Sequence, residues 1–409
     1  MQPDSNPAIH LSYCSNIHPG ETWETTFIQL KNHVPELKKR LAKEKPFGIG
    51  LRLSADAAKQ LLEAGRLVEF KDWLNQENLY VFTLNGFPYG SFHRERVKDD
   101  VYKPDWRTDE RYNYTASLID ILAELTPAGS EGSISTSPIS YKYWDDSKES
   151  KEAVAKKAAI HLANLAHKMS VIHSEKQKEI HIDLEPEPDC LIENTRETVE
   201  FFNNVLLPIG GNHLVSAFGI AKEKAERMIR KHIGVCYDTC HFALEYEDPK
   251  ESLAAFREAG IRIGKVQVSA ALKVPLGNRT QRTMAAERLQ HFVEPVYLHQ
   301  VLERRSDGAI RQYRDLPDAL PHILNEQAVE WRVHFHVPVF VDQFDGLFST
   351  QDEITQSLKE ILSGKYSSHF EIETYTWEVL PPGLKTGLTD SIEREFRWTL
   401  GQLNNVEND

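Results

Sequence analysis

A chain of 409 residues, 40% hydrophobic and 27% charged, can bury one large core, and no apolar run in it approaches the roughly 18 residues of a membrane span. Its net charge of −13 argues against nucleic acid as a partner, since phosphate backbones ask for a basic surface. Four cysteines, Cys14, Cys190, Cys236 and Cys240, are too few for a disulfide scaffold. The first residues lack the basic start and apolar core of a secretory signal, so a cytoplasmic protein is expected.

Along the chain, short strand-like stretches alternate with longer helical patterns. Strand patterns fall at 10–15, 48–54, 79–85, 133–137, 179–185, 233–238 and 264–269, then at 331–337 and 369–375. Amphipathic helical patterns at 23–42, 55–74, 151–173 and 350–362 lie between them. This alternation predicts a parallel sheet with crossover helices. No charged or Ser/Gly-rich linker divides the chain, so 1–409 reads as one domain.

Within the strands, one parity is polar and the other apolar. His181, Asp183 and Glu185 oppose Ile180, Ile182 and Leu184. His334 and His336 oppose Val333, Phe335 and Val337, while Glu371, Glu373 and Tyr375 oppose Ile372. Arg52 and Ser54 oppose Leu51 and Leu53, and Thr83 and Asn85 oppose Phe82 and Leu84. Side chains alternate between the faces of any strand. Helices must cover the apolar faces, so the polar faces must line something else. Closing the sheet satisfies both demands and predicts a (β/α)8 TIM barrel with a polar lumen, over an open doubly wound sheet as its rival. The strand patterns number one more than such a barrel holds. The surplus lies in a long excursion, taken as an insertion at 271–330 between the late barrel strands. There the Ser306-Asp307-Gly308 turn joins 297–304 to 310–314 as a hairpin over the barrel mouth. Either 264–269 or 331–337 is the seventh barrel strand.

Four sites sit at strand ends: Glu185, Asp238 with His241, His336, and Glu373. Carboxylates sharing a lumen lose hydration and repel one another, and a divalent cation turns the repelling oxygens into ligands. An oxygen-rich set with one imidazole suits one Mn, Mg, Co or Zn ion, held by Glu185, Asp238, His336 and Glu373. Each group also has an ordinary role available: Glu185 or Asp238 as a helix cap, His336 as a bonded core histidine, Glu373 as a partner for Arg52. Arg52, Asn85, His93, Gln267 and His334 fall at or just after strand ends and, with Trp377, are expected to contact a ligand. His18 lies in the same position on the first strand, and Tyr102 and Trp106 are further aromatic candidates. Cys236 and Cys240 are taken as small buried residues. No P-loop, G-x-G-x-x-G, G-x-S-x-G or H-E-x-x-H motif is present.

The last four strand ends resemble the metal-binding strands of the xylose-isomerase-like superfamily of sugar isomerases, epimerases and endonuclease-IV-type enzymes. The Asp238-Thr239-Cys240-His241 match is its most specific piece. The resemblance places the ligands at Glu185, Asp238, His336 (or His334) and Glu373; at the ordinary spacing the seventh strand offers Gln267 instead of histidine. It implies that Glu185 and Glu373 exchange protons with a substrate and that His241 orients a hydroxyl. Over nearly its full length the chain also resembles the EboE family of metabolite traffic proteins, notably at 10–23, 87–93, 297–301, 332–338 and 371–377. That implies a place in a bacterial gene cluster that makes or exports a secondary metabolite, with other proteins of the cluster as partners. The leading expectation is a metal-dependent isomerase or epimerase acting on a polyhydroxy carbonyl metabolite. Metal-dependent phosphoester hydrolysis and non-catalytic binding of a metabolite are the alternatives.

Overall fold

The polar parity of the strands faces inward in the computed structural model, which describes residues 1–3, 6–92, 97–145, 147–378, 380 and 387–405. Seven strands come first: β1 (His10–Tyr13), β2 (Phe47–Arg52), β3 (Leu79–Asn85), β4 (Glu131–Thr136), β5 (Glu179–Leu184), β6 (Ile233–Asp238) and β7 (Ile263–Val268). Six more follow: β8 (Ala270–Pro275), β9 (Val301–Arg305), β10 (Ile310–Tyr313), β11 (Ala328–Val337), β12 (Gln343–Phe344) and β13 (Leu347–Ser349). The last is β14 (His369–Ile372). Eight of them form one parallel sheet in the order β1-β14-β7-β6-β5-β4-β3-β2. The seam between β1 and β2 is crossed by a bridge from Cys14 to Gly50, and Ser12 Oγ donates to Gly48 O at 3.1 Å. Helices lie between the strands, and the fold is a TIM barrel.

The seventh barrel strand is therefore β7, which carries Gln267. The histidine-bearing segment is β11, in a second sheet ordered β10-β9-β11-β8-β13-β12. The cause lies just past β7: β8 starts two residues on and pairs antiparallel with β11 (Trp331↔Val274, Val333↔Leu272) and with β13. The inserted sheet thus spans 270–349, and the limits expected at 271 and 330 cut through it. The 306–308 hairpin is present, with Gly308 at φ 84°, a left-handed turn that suits glycine. Its tip is exposed. The part of this segment that reaches the barrel mouth includes Tyr297 and Leu298, before β9, rather than the turn.

Packing follows the parity. Ile180, Ile182, Leu184, Val266, Val268, Phe370 and Ile372 belong to the hydrophobic core outside the barrel wall. Helices meet it with apolar stripes; Trp23–Leu41, capped by Thr22 and Thr25, buries Trp23, Phe27, Leu30, Val34 and Leu37. Inside, Lys265 and Glu371 form an ion pair at 2.6 Å with both side chains fully buried. Phe82 departs from the expected face. A register shift between Ile49 and Gly50 in the β2–β3 ladder brings its ring within 5.1 Å of His10 and 5.0 Å of His369. Among the described residues no helix is long and apolar enough to cross a membrane.

Candidate metal centre at the barrel mouth

Four chain segments converge at the C-terminal strand ends. Glu185 follows β5, Asp238 ends β6, Glu373 follows β14, and the end of β11 brings His336 over them from the insertion. Glu185, Asp238 and Glu373 each present a carboxylate oxygen within 4.8 Å of the other two. Asp238, His241 and His336 form a second such triplet. Asp238 is fixed because it also caps the helix Thr239–Leu244: Oδ1 accepts from Cys240 N (2.8 Å) and His241 N (3.2 Å) and from Ser269 Oγ. Its Oδ2 is left over. The capping role expected as an alternative is thus real, but it occupies only one oxygen.

Glu373 is held by three amides. Asn16 Nδ2 (2.8 Å) and Asn85 Nδ2 (2.9 Å) donate to Oε1, and Gln267 Nε2 (2.7 Å) donates to Oε2. His336 Nδ1 lies 2.8 Å from the Glu373 carbonyl oxygen. A carbonyl only accepts, so Nδ1 carries the proton and Nε2 presents its lone pair. Three buried ligand atoms have no hydrogen-bond partner among the described residues: Glu185 Oε2, Asp238 Oδ2, which has only His241 Nε2 at 3.9 Å, and His336 Nε2. Unsatisfied buried polar atoms of this kind are costly. Burial first, then Glu373 and Asp238, pushes the Glu185 carboxyl well above its ordinary range. Burial, then Asp238 and Glu371, does the same for Glu373. Burial lowers His336 to about 4, so its imidazole is neutral near pH 7. Three carboxylates and a neutral imidazole with lone pairs inward fit a divalent cation, which would satisfy the orphaned atoms and cancel the repulsion.

Beside this set lie His241 and His334, whose Nε2 atoms are 3.2 Å apart, and Glu187, which accepts from Tyr102 OH at 2.8 Å. Burial raises Glu187 to about 7 and, with His241 and His336 adding to it, takes His334 well below its usual value. The cavity itself is small, about 60 Å³. Phe87, Tyr102, Tyr297 and Tyr375 are among its lining residues.

Of the residues expected to contact a ligand, Asn85 and His334 line this cavity, and Gln267 stands behind Glu373 as a hydrogen-bond donor. Arg52 does not reach it. Its guanidinium donates to Gly20 O and Gly90 O and pairs with Glu21 at 3.3 Å, tying two loops together, and it makes no pair with Glu373. Trp377 packs into the main core, and Trp106 donates to Ser137 O at 3.2 Å in the interior. His18 meets Tyr13 OH at 2.9 Å and lines a different crevice. His93 lies outside the described residues. Cys236 and Cys240 are free and buried, as the other two cysteines are. Asn16, Glu187, Tyr297 and Gln300 were not singled out from sequence. Glu187 had a signal in the Glu185-Pro-Glu187-Pro repeat, whereas Asn16 and Gln300 come from irregular segments with no periodicity to mark them.

No family model and no curated protein matches the chain. Among solved structures, it is similar to a xylose isomerase-like TIM barrel protein from Mycobacterium smegmatis in complex with magnesium. The identity is 10%, the match covers 99% of this chain and 98% of that one, and the TM-score is 0.50. A D-tagatose 3-epimerase-like protein matches at 9% identity over 98% and 100% of the two chains (TM-score 0.49). The IOLI protein with a bound zinc atom matches at 13% over 97% and 99% (TM-score 0.46). At these identities the shared property is the fold.

Proposed function

We propose that the barrel mouth is the active site of a divalent-metal-dependent isomerase or epimerase acting on a polyhydroxy carbonyl compound. The observation that carries this reading is a set of buried ligand atoms without a hydrogen-bond partner among the described residues, Glu185 Oε2, Asp238 Oδ2 and His336 Nε2, in two triplets that share Asp238: Glu185, Asp238 and Glu373, and Asp238, His241 and His336. Glu185, Asp238, His336 and Glu373 would hold one ion of the Mn, Mg, Co or Zn class, which supplies Lewis-acid polarisation of a carbonyl and its neighbouring hydroxyl. Glu185 takes the proton from the carbon beside the carbonyl and returns it. Glu373 is the second proton-exchanging carboxylate, aimed by Asn16, Asn85 and Gln267. His241 flanks the pair and faces a substrate hydroxyl. Tyr297 and Tyr375 on the cavity wall limit water around the reacting carbon. The proton leaves one carbon and arrives at that carbon or its neighbour, so no external oxidant or reductant is required.

The sequence resemblance to the EboE family supports a setting in secondary-metabolite synthesis or traffic, in the cytoplasm and beside other proteins of one gene cluster. The test is exchange of carbon-bound hydrogen with solvent deuterium in a panel of ketoses and aldoses, followed by NMR with Mn or Zn present. Glu185→Gln and Glu373→Gln should fold and lose exchange; exchange surviving in both ends the assignment. The additional imidazoles His241 and His334 favour phosphoester hydrolysis as the competing reading. Release of inorganic phosphate from sugar phosphates, without deuterium exchange, would select it. Retention of a sugar with neither outcome would select a binding protein.

A further inference from the structure

The opposite end of the barrel carries a charge imbalance that the mouth does not use. Strands β4, β5 and β7 begin there, around an open cavity of about 930 Å³ lined by Glu131, Glu179 and Arg262 among others. These three are balanced locally. Arg262 Nη1 donates to Glu179 Oε1 at 3.1 Å and Nη2 donates to Glu131 Oε1, while Lys231 Nζ stands 3.1 Å from Glu179 Oε2. Behind them, His181 Nδ1 lies 2.9 and 2.8 Å from the two Asp183 oxygens, and its Nε2 lies 3.2 Å from Glu131 Oε1. Burial and Arg262 lower the His181 pKa, yet Asp183 and Glu131 more than offset them and raise it, so the ring is a cation. Asp183, Glu131 and Glu179 are thus matched by His181, Arg262 and Lys231, three charges against three. Two further cations, Arg230 and Lys365, line the same cavity with no ion pair among the described residues. Half-buried Arg230 engages only Nη1, on the carbonyl oxygens of Ala259 (2.6 Å) and Gly260 (3.1 Å) at the end of helix Pro249–Glu258. Lys365 follows helix Gln351–Gly364. Each helix end offers about half a negative charge. The two ends together leave about one positive charge uncompensated, in a chain of net charge −13.

We propose that this cavity at the N-terminal strand ends binds a small organic anion, its phosphate or carboxylate head at Arg230 and Lys365 and its uncharged body against Ile9, Ile263 and Leu362. Charged donors are the groups that hold such heads, through hydrogen bonds stronger than those between neutral partners. The hydroxyls of Tyr366 and Ser368, also on the wall, add neutral donors to an oxygen-rich head. A bare inorganic ion would leave most of the volume unused, since sites for small organic molecules run from about 300 to 1,000 Å³. The carboxylates present do not oppose the anion, because each already has its cation. Catalytic groups of a barrel gather at the other face, so this is a binding site and no second centre of reaction. It stands independently of the isomerase reading, with none of its residues at the mouth.

The test is calorimetric titration of the chelator-stripped full chain at low salt with phenyl phosphate, benzoate, inorganic phosphate and phenol. One equivalent of phenyl phosphate, of benzoate or of each should bind, with a Kd of about 1 mM or tighter. Binding of the first alone identifies a phosphate head, and of the second alone a carboxylate head. Inorganic phosphate, which lacks the body, and phenol, which lacks the charge, should each bind at least about 10-fold more weakly. Arg230→Gln and Lys365→Gln should each weaken the organic anion about 10-fold. Lys365 is exposed, so its variant keeps the fold whatever Arg230→Gln does to the helix end it caps. Lys39→Gln, on helix Trp23–Leu41 and outside the cavity, and Asp238→Asn, at the mouth, should bind as the parent does. No saturable binding of either organic anion overturns the proposal, as does inorganic phosphate or phenol binding equally well. Equal weakening by Lys39→Gln would reduce the effect to overall charge and overturn it too. Binding that Asp238→Asn abolishes and Lys365→Gln leaves intact would move the anion to the mouth, against the proposal and without bearing on the isomerase reading.

Discussion

Glu185→Gln should make the metal-free protein more stable and the metal-loaded protein less stable than the parent. In the absence of an ion, Glu185 lies with Asp238 and Glu373 in a triplet whose ligand oxygens are all within 4.8 Å of one another. Two full charges at that distance and an effective dielectric of about 20 repel by roughly 3 kcal/mol. Glu185 can avoid the repulsion by keeping its proton. At pH 7, against an ordinary value of 4.5, that costs about 3 kcal/mol. Both routes limit the penalty to a similar size, and the glutamine removes it, so a gain of about 1–3 kcal/mol is expected in EDTA. The sign with pH follows from a carboxyl whose folded-state pKa is raised. Its stability is intact below 4.5 and falls as pH rises, so the apo parent should lose stability from pH 5 to 7 relative to the variant. With an ion at a hundred times its dissociation constant, the parent gains about 2.7 kcal/mol. The variant, short of one ligand, gains less, and the ranking inverts. Urea denaturation at pH 5, 6 and 7, with EDTA or with Mn2+, reads both effects. An apo variant less stable than the parent at pH 7, or the same pH slope in both proteins, would refute the reasoning.

Three further outcomes follow from the interior. Lys265→Met leaves Glu371 buried without its 2.6 Å partner and should cost about 3–5 kcal/mol in denaturant melts, most of it recovered when Glu371→Gln is added. A methyl group on Gly50 would stand 1.8 Å from Glu371 Oε1 and 2.7 Å from Tyr13 O, so Gly50→Ala should break the same ion pair and lower the Tm by several degrees. Burial pushes the Glu395 carboxyl up to about 8, although Thr374 Oγ1 and Val339 N donate to it. Its stability is present below 4.5 and declines up to about 8, so Glu395→Gln should be the more stable protein at pH 8.5, by at most about 5 kcal/mol, and lose that advantage near pH 4.5.

The barrel was legible because its signal is periodic. Polar and apolar side chains alternate along strands that alternate with helices, and only a closed sheet accommodates both. Phe82 escaped the pattern because a register shift is a change in pairing, which one strand's sequence does not record. Glu185, Asp238, His336 and Glu373 all reach the barrel mouth because each lies at or one residue from a strand end, where parity still fixes the face. Arg52 was misplaced for the same reason: position on a strand fixes the face a side chain leaves from, but a long guanidinium chooses its own partners, here Gly20, Glu21 and Gly90. Trp377 stands four residues past Glu373, where the strand's parity no longer constrains it. The limits of the insertion were invisible because β8 continues β7 after one residue, and nothing in Val268-Ser269-Ala270 announces that the chain is leaving one sheet for another.

The inserted sheet also explains how a histidine reaches a barrel whose seventh strand lacks one. Gln267 stands at the level of the site, but both ends of its amide are engaged: Nε2 donates to Glu373 Oε2 at 2.7 Å, and Oε1 accepts from Cys236 Sγ at 2.8 Å. A neutral amide so engaged orients a carboxylate and has little left for a cation. His336 comes from another element, β11, whose ladder with β8 is irregular between Val333 and Val337. In that gap His334 N bonds to Gln300 O at 2.8 Å instead of to β8, and both His334 and His336 reach the cavity. The docking contacts are polar and specific: His336 Nδ1 with Glu373 O, and Thr376 Oγ1 with His336 O. A cation bridging Asp238 of the barrel and His336 of the insertion would bind the docked arrangement alone. By linkage, whatever free energy the docked sheet lends to the ion, the ion returns to the docking of the sheet. Barrel and insertion would then be joined through the site itself, which is a physical reason for a barrel of this kind to take a ligand from outside its own wall.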